Sequence, residues 1–110
     1  MSDFMDGAVE DLDTVFLDLD VFGEKHVVQG KEIIIMYDNE ELERANEKRK
    51  ENEFDSDVHK ADVLFYAKES DLGSELSANS LLMIDGKRYF IYHARLVAGL
   101  WKIILGRKQL

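Results

Sequence analysis

Hydrophobic and polar positions are most regularly patterned in the last third of the chain. An apolar run at 81–84 precedes the turn dipeptide Asp85-Gly86, and a strand rich in aromatic and β-branched residues follows at 87–95. A second turn at Ala98-Gly99 leads into the apolar run 100–105. Glycine accepts the positive φ that a two-residue hairpin turn requires, so this spacing predicts a three-stranded meander.

Three further strands are predicted before the meander. The segment from His26 to Tyr37 reads as a hairpin with its turn at Gln29-Gly30 and a strongly β-branched second strand. The run ADVLFYAK at 61–68 predicts the third strand. In the polar connection that follows it, Leu72 and Leu76 are expected to point inward.

The N-terminal segment is harder to assign. Residues 1–13 have no clear period and are predicted to form a mobile acidic terminus. From Thr14 to Lys25 the apolar residues fit both the alternation of a strand and the spacing of a helix, so periodicity does not decide between them. Gly23 is expected to end whichever element forms.

One short helix is predicted after Asp38. The Asp38 side chain can accept a hydrogen bond from the first-turn amides, and Glu41 completes a capping-box-like pattern. Only Leu42 and Ala45 are apolar in the helix-forming run, so a short helix is expected to pass into a flexible loop at 46–60. Phe54 is an isolated aromatic residue in that loop, which either anchors a partner or pins the loop.

These elements predict a mainly β (α+β) fold. About six strands and one short helix, in a single domain at 14–110, are typical of a small antiparallel β-barrel or sandwich, because the edge strands must be paired or covered. The chain has 110 residues, which suffices for one domain.

Charge and composition narrow the function. The net charge of −9 disfavours non-specific nucleic-acid binding, and the absence of cysteine excludes disulfides and thiolate metal sites. The acidic N-terminus lacks the features of a signal peptide, and no apolar stretch is long enough to span a bilayer, so we expect synthesis in the cytoplasm and no membrane partner.

The charges are also unevenly distributed. Residues 1–24 carry eight acids and no base, whereas residues 87–108 carry six bases and no acid. Such polarity suits head-to-tail contact between copies or docking onto a charged partner ring, although a solvated acidic tail is the simpler interpretation.

Asp18 and Asp20 carry the main enzymatic alternative. The run VFLDLDVF resembles the first motif of haloacid-dehalogenase-type phosphatases, which implies a nucleophile at Asp18, a general acid/base at Asp20 and bound Mg²⁺. That chemistry also needs downstream phosphate-binding residues and a parallel α/β sheet, and no alternating βα pattern follows Asp20. A small phosphatase-like enzyme is therefore the alternative, and two solvent-facing acids are the simpler interpretation.

Other candidate sites are weaker. An EF-hand count from Asp18 finds Gly23 at the sixth position but Gln29 at the twelfth, where glutamate is needed. The three histidines have no metal-ligand spacing. Aromatic residues at 89, 90 and 92 suggest base stacking on a sheet, but neighbouring strand positions point to opposite faces. No catalytic residue, cofactor or metal is predicted.

At the level of the whole chain, three segments carry a family resemblance. They are VFLDLDVFGEKHVVQGKEIIIMYDNEEL at 15–42, ADVLFYAKESDLGS at 61–74 and LLMIDGKRYFIYHARLVAGLWKIIL at 81–105. In this order and spacing, the sequence resembles the small head–tail joining (connector, or neck) proteins of long-tailed bacteriophages, the family that includes the lambda-type joining protein and the neck proteins of PBSX-type prophages. Ser77-Ala78-Asn79 stands where such proteins often have a glycine-rich stop.

The resemblance implies a structural protein without enzymatic activity. It implies a small β-barrel that assembles as a homo-oligomeric ring at the virion neck, between the portal or adaptor ring and the tail proteins, with DNA only passing through the channel. Segments that cannot bury enough apolar surface alone would order on assembly. The residues expected at the partner interface are Asp11, Asp13, Asp18, Asp20, Phe54, Arg88, Arg95 and Arg107.

Overall fold

Six antiparallel strands close into a barrel in the computed structural model, which describes residues 8–52 and 60–108. The elements in chain order are α1 (Ala8–Phe22), β1 (Glu24–Val28), β2 (Lys31–Tyr37), α2 (Asn39–Asn52), β3 (Val63–Lys68), α3 (Glu69–Leu72), β4 (Leu81–Ile84), β5 (Lys87–Val97) and β6 (Leu100–Gly106). Around the barrel the strands run β1-β2-β3-β6-β5-β4. The predicted small antiparallel β-barrel is confirmed, and the sandwich alternative is not what forms.

The three predicted hairpin turns form at the predicted dipeptides. In each turn, both central residues have positive φ, as two-residue turns that match the twist of the strands require; the pairs are Gln29-Gly30, Asp85-Gly86 and Ala98-Gly99. Asn79, in the segment that replaces a glycine-rich stop, also has positive φ (68°). Asparagine tolerates this conformation better than most residues, so the chain enters β4 without a glycine.

The barrel closes where β1 meets β4. Val28 is paired with Ile84, and the Gln29 amide donates a hydrogen bond of 2.9 Å to the Met83 carbonyl. The Gln29 side-chain oxygen accepts a second hydrogen bond, also 2.9 Å, from the Met83 amide. This seam is short, so side chains supply part of the pairing that longer strands provide elsewhere.

Alternate residues of every strand fill the barrel interior. One end of this core is closed by the segment after β3, where Leu72 and Leu76 pack against it as predicted and Trp101 Nε1 donates a 2.6 Å hydrogen bond to the Gly73 carbonyl. The buried interior residues are Val28, Ile33, Ile35, Phe65, Ala67, Leu82, Ile84, Tyr89, Ile91, Trp101, Ile103 and Leu105.

Helix α2 covers a second, outer cluster. The Glu41 amide donates to Asp38 Oδ1 at 3.0 Å, which is the predicted N-cap, and Leu42 and Ala45 pack against this cluster as predicted. Its buried members lie at the start of β3 and on the outer faces of β3, β5 and β6; they are Ala61, Leu64, Tyr92 and Ile104. The helix continues to Asn52, into the loop predicted at 46–60, and residues 53–59 lie outside the described ranges.

Helix α1 settles the ambiguous N-terminal segment in favour of a helix. It packs on the outer face of β2 and β3, with Leu19 almost fully buried and Asp20 Oδ1 2.6 Å from Lys68 Nζ. It begins at Ala8, so it includes residues 8–13 of the terminus predicted to be mobile, and residues 1–7 lie outside the described part of the chain.

Candidate protein–protein interface

Helix α1 presents an apolar face to solvent. Leu17, Val21 and Phe22 are 66%, 69% and 70% exposed, and their spacing places them on one side of the helix. Asp18 falls on the same side by this spacing, is half-buried, and forms no ion pair with the side chains described at 14–48 and 60–108. We call these four residues the α1 outer face. Such contiguous exposed apolar side chains mark interaction sites more often than isolated ones do.

A second exposed apolar surface lies on the barrel wall. The helices pack mainly on β2, β3 and the neighbouring parts of β5 and β6, so the outer side of β1 and β4 remains open. Val27, Leu81 and Met83 are 43%, 47% and 37% exposed there. Arg88 is exposed on β5 directly opposite Met83 in the β4–β5 register. We call these four residues the wall patch.

The acidic residues predicted at the interface take different positions. Asp18 belongs to the α1 outer face, whereas Asp20 is engaged within the chain by Lys68. Asp11 and Asp13 lie on α1, but their side chains are outside the described part of the structure. Phe54 also lies outside the described residues. Among the predicted acids whose side chains are described, Asp18 is therefore the one that is free to contact a partner.

The three predicted arginines do not lie together, because one of them is at the opposite end of the sheet from the other two. The register of Phe90 with Gly106 brings Arg107 to the same end of the sheet as Arg88. Arg95 lies at the other end of β5, opposite Lys102 and on the far side of a bulge at 91–93. None of the three forms an ion pair with a described residue. Arg88 alone of the three is a register partner of an exposed apolar side chain.

A charged cluster at the barrel seam was not predicted from the sequence. Asp85 Oδ2 lies 2.5 Å from His26 Nδ1, and Asp85 Oδ1 accepts a 2.9 Å hydrogen bond from the Val27 amide. The Asp85 amide in turn donates to the Val27 carbonyl at 2.8 Å, and Glu24 Oε1 is 3.2 Å from His26 Nε2. This seam clasp, formed by Glu24, His26 and Asp85, joins β1 to the β4–β5 turn.

The clasp shifts the ionisation of its members. The hydrogen bond that the His26 ring donates to the Asp85 carboxylate raises the pKa of His26 above 6.5, against an opposing effect of burial, and Glu24 adds to the rise. The hydrogen bond that Asp85 accepts from His26 lowers the pKa of Asp85 below 3.8. The Tyr37 ring packs edge-on against His26 with a centroid distance of 5.3 Å, and burial raises the pKa of its hydroxyl. Two features of the sequence could have indicated the seam clasp. They are the aspartate of the turn dipeptide Asp85-Gly86 and the histidine two residues after Glu24.

The geometry around Asp18 and Asp20 does not support the phosphatase alternative. Both lie on a helix, not at the end of a strand, and the sheet beneath them is antiparallel. Asp20 is paired with Lys68, so it is not free to act together with Asp18. Within residues 8–52 and 60–108, no group of three or more histidine, aspartate or glutamate side chains could hold a metal ion.

The aromatic residues of β5 do not form an exposed stacking surface. Tyr89 points into the barrel, whereas Tyr92 is buried in the outer cluster and Phe90 packs against that cluster. The Tyr92 hydroxyl donates a 2.6 Å hydrogen bond to the Lys108 carbonyl. These rings are therefore part of the packed fold, and the weak base-stacking alternative raised by positions 89, 90 and 92 has no exposed ring set to support it.

Comparison with protein-family models, with curated proteins and with solved structures found no match. Among the described helices, none is both long and apolar enough to cross a membrane.

Proposed function

We propose that this chain is a structural protein of a bacteriophage or prophage neck, which joins the head, on its portal side, to the tail. It acts as a homo-oligomeric ring made in the host cytoplasm and placed in the virion neck on assembly, against the portal or adaptor ring and the tail proteins. The observation that carries the proposal is a closed barrel with two separate exposed apolar surfaces, the α1 outer face and the wall patch.

The positions of the two surfaces support a ring. The α1 outer face lies over β2 and β3, and the wall patch is formed by residues of β1, β4 and β5, so the two surfaces cover different strands of one barrel. A subunit with two distinct contact surfaces associates head to tail, and head-to-tail contacts close into rings when the rotation between neighbours permits. Exposed contact surfaces, and not a catalytic pocket, are what the assembly of subunits into a ring requires.

The family resemblance supports the rest of the proposal. A small β-barrel is the fold that the resemblance implies, and the confirmed barrel agrees with it. The acidic N-terminal helix and the basic β5 also agree with contacts between subunits, because opposite charges orient and accelerate association. The position between head and tail rests on the resemblance.

The proposal is tested by deleting the gene from the phage or prophage that encodes it. We expect complete DNA-filled heads and complete tails that remain unjoined, visible by negative-stain electron microscopy, with infectious or tailed particles reduced at least a hundredfold. Supplying the wild-type gene in trans should restore joined particles. Normal joined particles in the deletion strain, or a defect in head or tail formation itself, would overturn the proposal.

A further inference from the structure

We infer that the α1 outer face of one copy docks onto the wall patch of a second copy of this chain. The inference rests on the proposed function, since it names the contact by which the ring would form. It selects one pairing of surfaces from the three that two patches allow: α1 face with α1 face, wall patch with wall patch, and α1 face with wall patch.

The apolar parts of the two surfaces are suited to burial together. Leu17, Val21 and Phe22 form a row along the outward side of the helix, and all three are at least 66% exposed. Leu81 and Met83 alternate with the buried residues of β4, so both point outward from the barrel. Laying a helix row across such a strand removes apolar surface from water on both sides, which favours association.

Charge decides which surfaces pair. Helix α1 contains five acids and no base, and Asp18 stands among the apolar residues of its outer face. On the wall patch the charged residue is Arg88, which stands beside Met83 on a strand that carries no acid. Two α1 faces would bring like charges together, as would two wall patches, whereas the mixed pairing brings Asp18 to Arg88.

The fold leaves both surfaces free for this contact at the same time. The α1 inner side is held on the barrel by Leu19 and by the Asp20–Lys68 ion pair, so docking the outer face requires no unfolding. Each copy would use its α1 outer face toward one neighbour and its wall patch toward the other. The apolar area of three helix side chains is small, so we expect a weak contact in dilute solution that strengthens when neighbours close a ring.

Cysteine cross-linking tests the pairing directly, because the chain contains no cysteine of its own. Two single-cysteine proteins, Val21→Cys and Met83→Cys, are mixed in equal amounts at high concentration, oxidised mildly and analysed by non-reducing gels and mass spectrometry. The expected result is a mixed disulfide well above the yields of both homodimers. The control is Glu75→Cys, also an exposed position, which should react with Met83→Cys several-fold less. A mixed yield no higher than random pairing, or equal to the control, would overturn the inference.

Charge reversal provides a second arm. Adding Arg88→Glu to the Met83→Cys protein should lower the mixed yield several-fold, and adding Asp18→Lys to the Val21→Cys protein should restore it. An unchanged yield after the first reversal would contradict the role of the Asp18–Arg88 pair. Both variants change exposed or half-buried surface residues, and their far-ultraviolet circular dichroism should match that of the wild type.

The contact and the proposed function can fail separately. Unjoined heads and tails in the deletion strain without the mixed disulfide would overturn the contact and keep the function. A strong mixed disulfide with normal virions in the deletion strain would overturn the function and keep the contact. Cross-linking of Val21→Cys in particles only to a different virion protein would also overturn the contact, because the α1 outer face would then belong to another partner.

Discussion

Ala98 takes a backbone conformation that favours other residue types. It occupies the first central position of the β5–β6 turn with a φ of 52°, whereas the corresponding position in this turn type commonly holds asparagine or aspartate. A left-handed conformation costs an L-residue with a Cβ roughly 1–2 kcal/mol. The turn still forms, because Gly99 follows it and the two flanking strands pair along most of their length.

We therefore expect Ala98→Asn to stabilise the protein. The free energy of unfolding, measured by urea denaturation, should rise by about 0.5–1 kcal/mol, a part of the cost of the left-handed conformation. The matched control is Ala78→Asn, at an exposed position whose φ is not positive, and it should change stability by less than about 0.5 kcal/mol. An equal rise in both variants, or a fall in Ala98→Asn, would show that the turn is not strained at this residue.

His26 gives the barrel seam a dependence on pH. Its pKa is raised in the folded state, so its contribution to stability is complete below pH 6.5 and is lost as the pH rises through the raised pKa. The pKa of Asp85 is lowered, so its contribution is present above pH 3.8 and is lost as the pH falls through the lowered pKa. The clasp is therefore most stabilising between about pH 3.8 and 6.5, with Tyr37 and Lys87 as the other titratable groups nearby.

The expected outcome is a pH-dependent difference between His26→Gln and wild type. The urea midpoint of the variant should lie below that of wild type near pH 5.5, and the gap should narrow steadily as the pH rises above 6.5. His93→Gln, which changes an exposed histidine on β5, serves as the matched control and should show no such trend. A gap that stays constant with pH would mean that the clasp does not depend on the charge of His26.

At the scale of helices and strands, the predictions that were right rested mostly on local sequence patterns. The hairpins were predictable because each turn has glycine at its second central position. Leu42 and Ala45 identified the buried side of α2. Helix α1 was ambiguous because VFLDLDVF fits both periods, and what settles it is packing against β2 and β3, which is not local. The extension of α2 to Asn52 reflects the helix propensity of a run that has no apolar stripe to mark its end.

Asn46 fixes α2 to the start of the strand that follows it. Its side-chain oxygen accepts a 2.8 Å hydrogen bond from the Ala61 amide, and its nitrogen donates to the Ala61 carbonyl at 3.1 Å. Because Ala61 is buried, loss of these bonds leaves its backbone groups without their side-chain partner. The pair therefore determines where the chain returns to the barrel after α2.

Replacing Asn46 by alanine should lower the free energy of unfolding by about 1–3 kcal/mol. Amide hydrogen exchange should also accelerate at Ala61, and both changes can be followed on one sample series. Glu47→Ala, at the exposed neighbouring position of α2, is the matched control and should stay within about 0.5 kcal/mol of wild type. Equal exchange at Ala61 in the two variants would contradict the anchoring role.

For the whole molecule, the barrel was predictable from the sequence, whereas its exposed apolar surfaces were not. Six predicted strands with one helix indicated a closed sheet. No local sequence pattern, however, predicts that Val28 pairs with Ile84 or that His26 contacts Asp85. The charge asymmetry lies between α1 and β5, but the sequence does not distinguish Asp18 from Asp20, and only the fold shows that Asp20 pairs with Lys68 inside the chain. The exposed Val27, Leu81 and Met83 could not be identified, because burial of a strand face depends on which helices cover it.

The most direct test of the proposed function is in vitro joining. Unjoined heads and tails from the deletion strain are mixed with purified protein, and joined particles are counted by electron microscopy and by infectivity. We expect wild type and the exposed control Glu75→Ala to restore joining, whereas Val21→Asp, which places a charge on the α1 outer face, should reduce it at least tenfold. Failure of the wild-type protein to join heads to tails would contradict the proposed neck function.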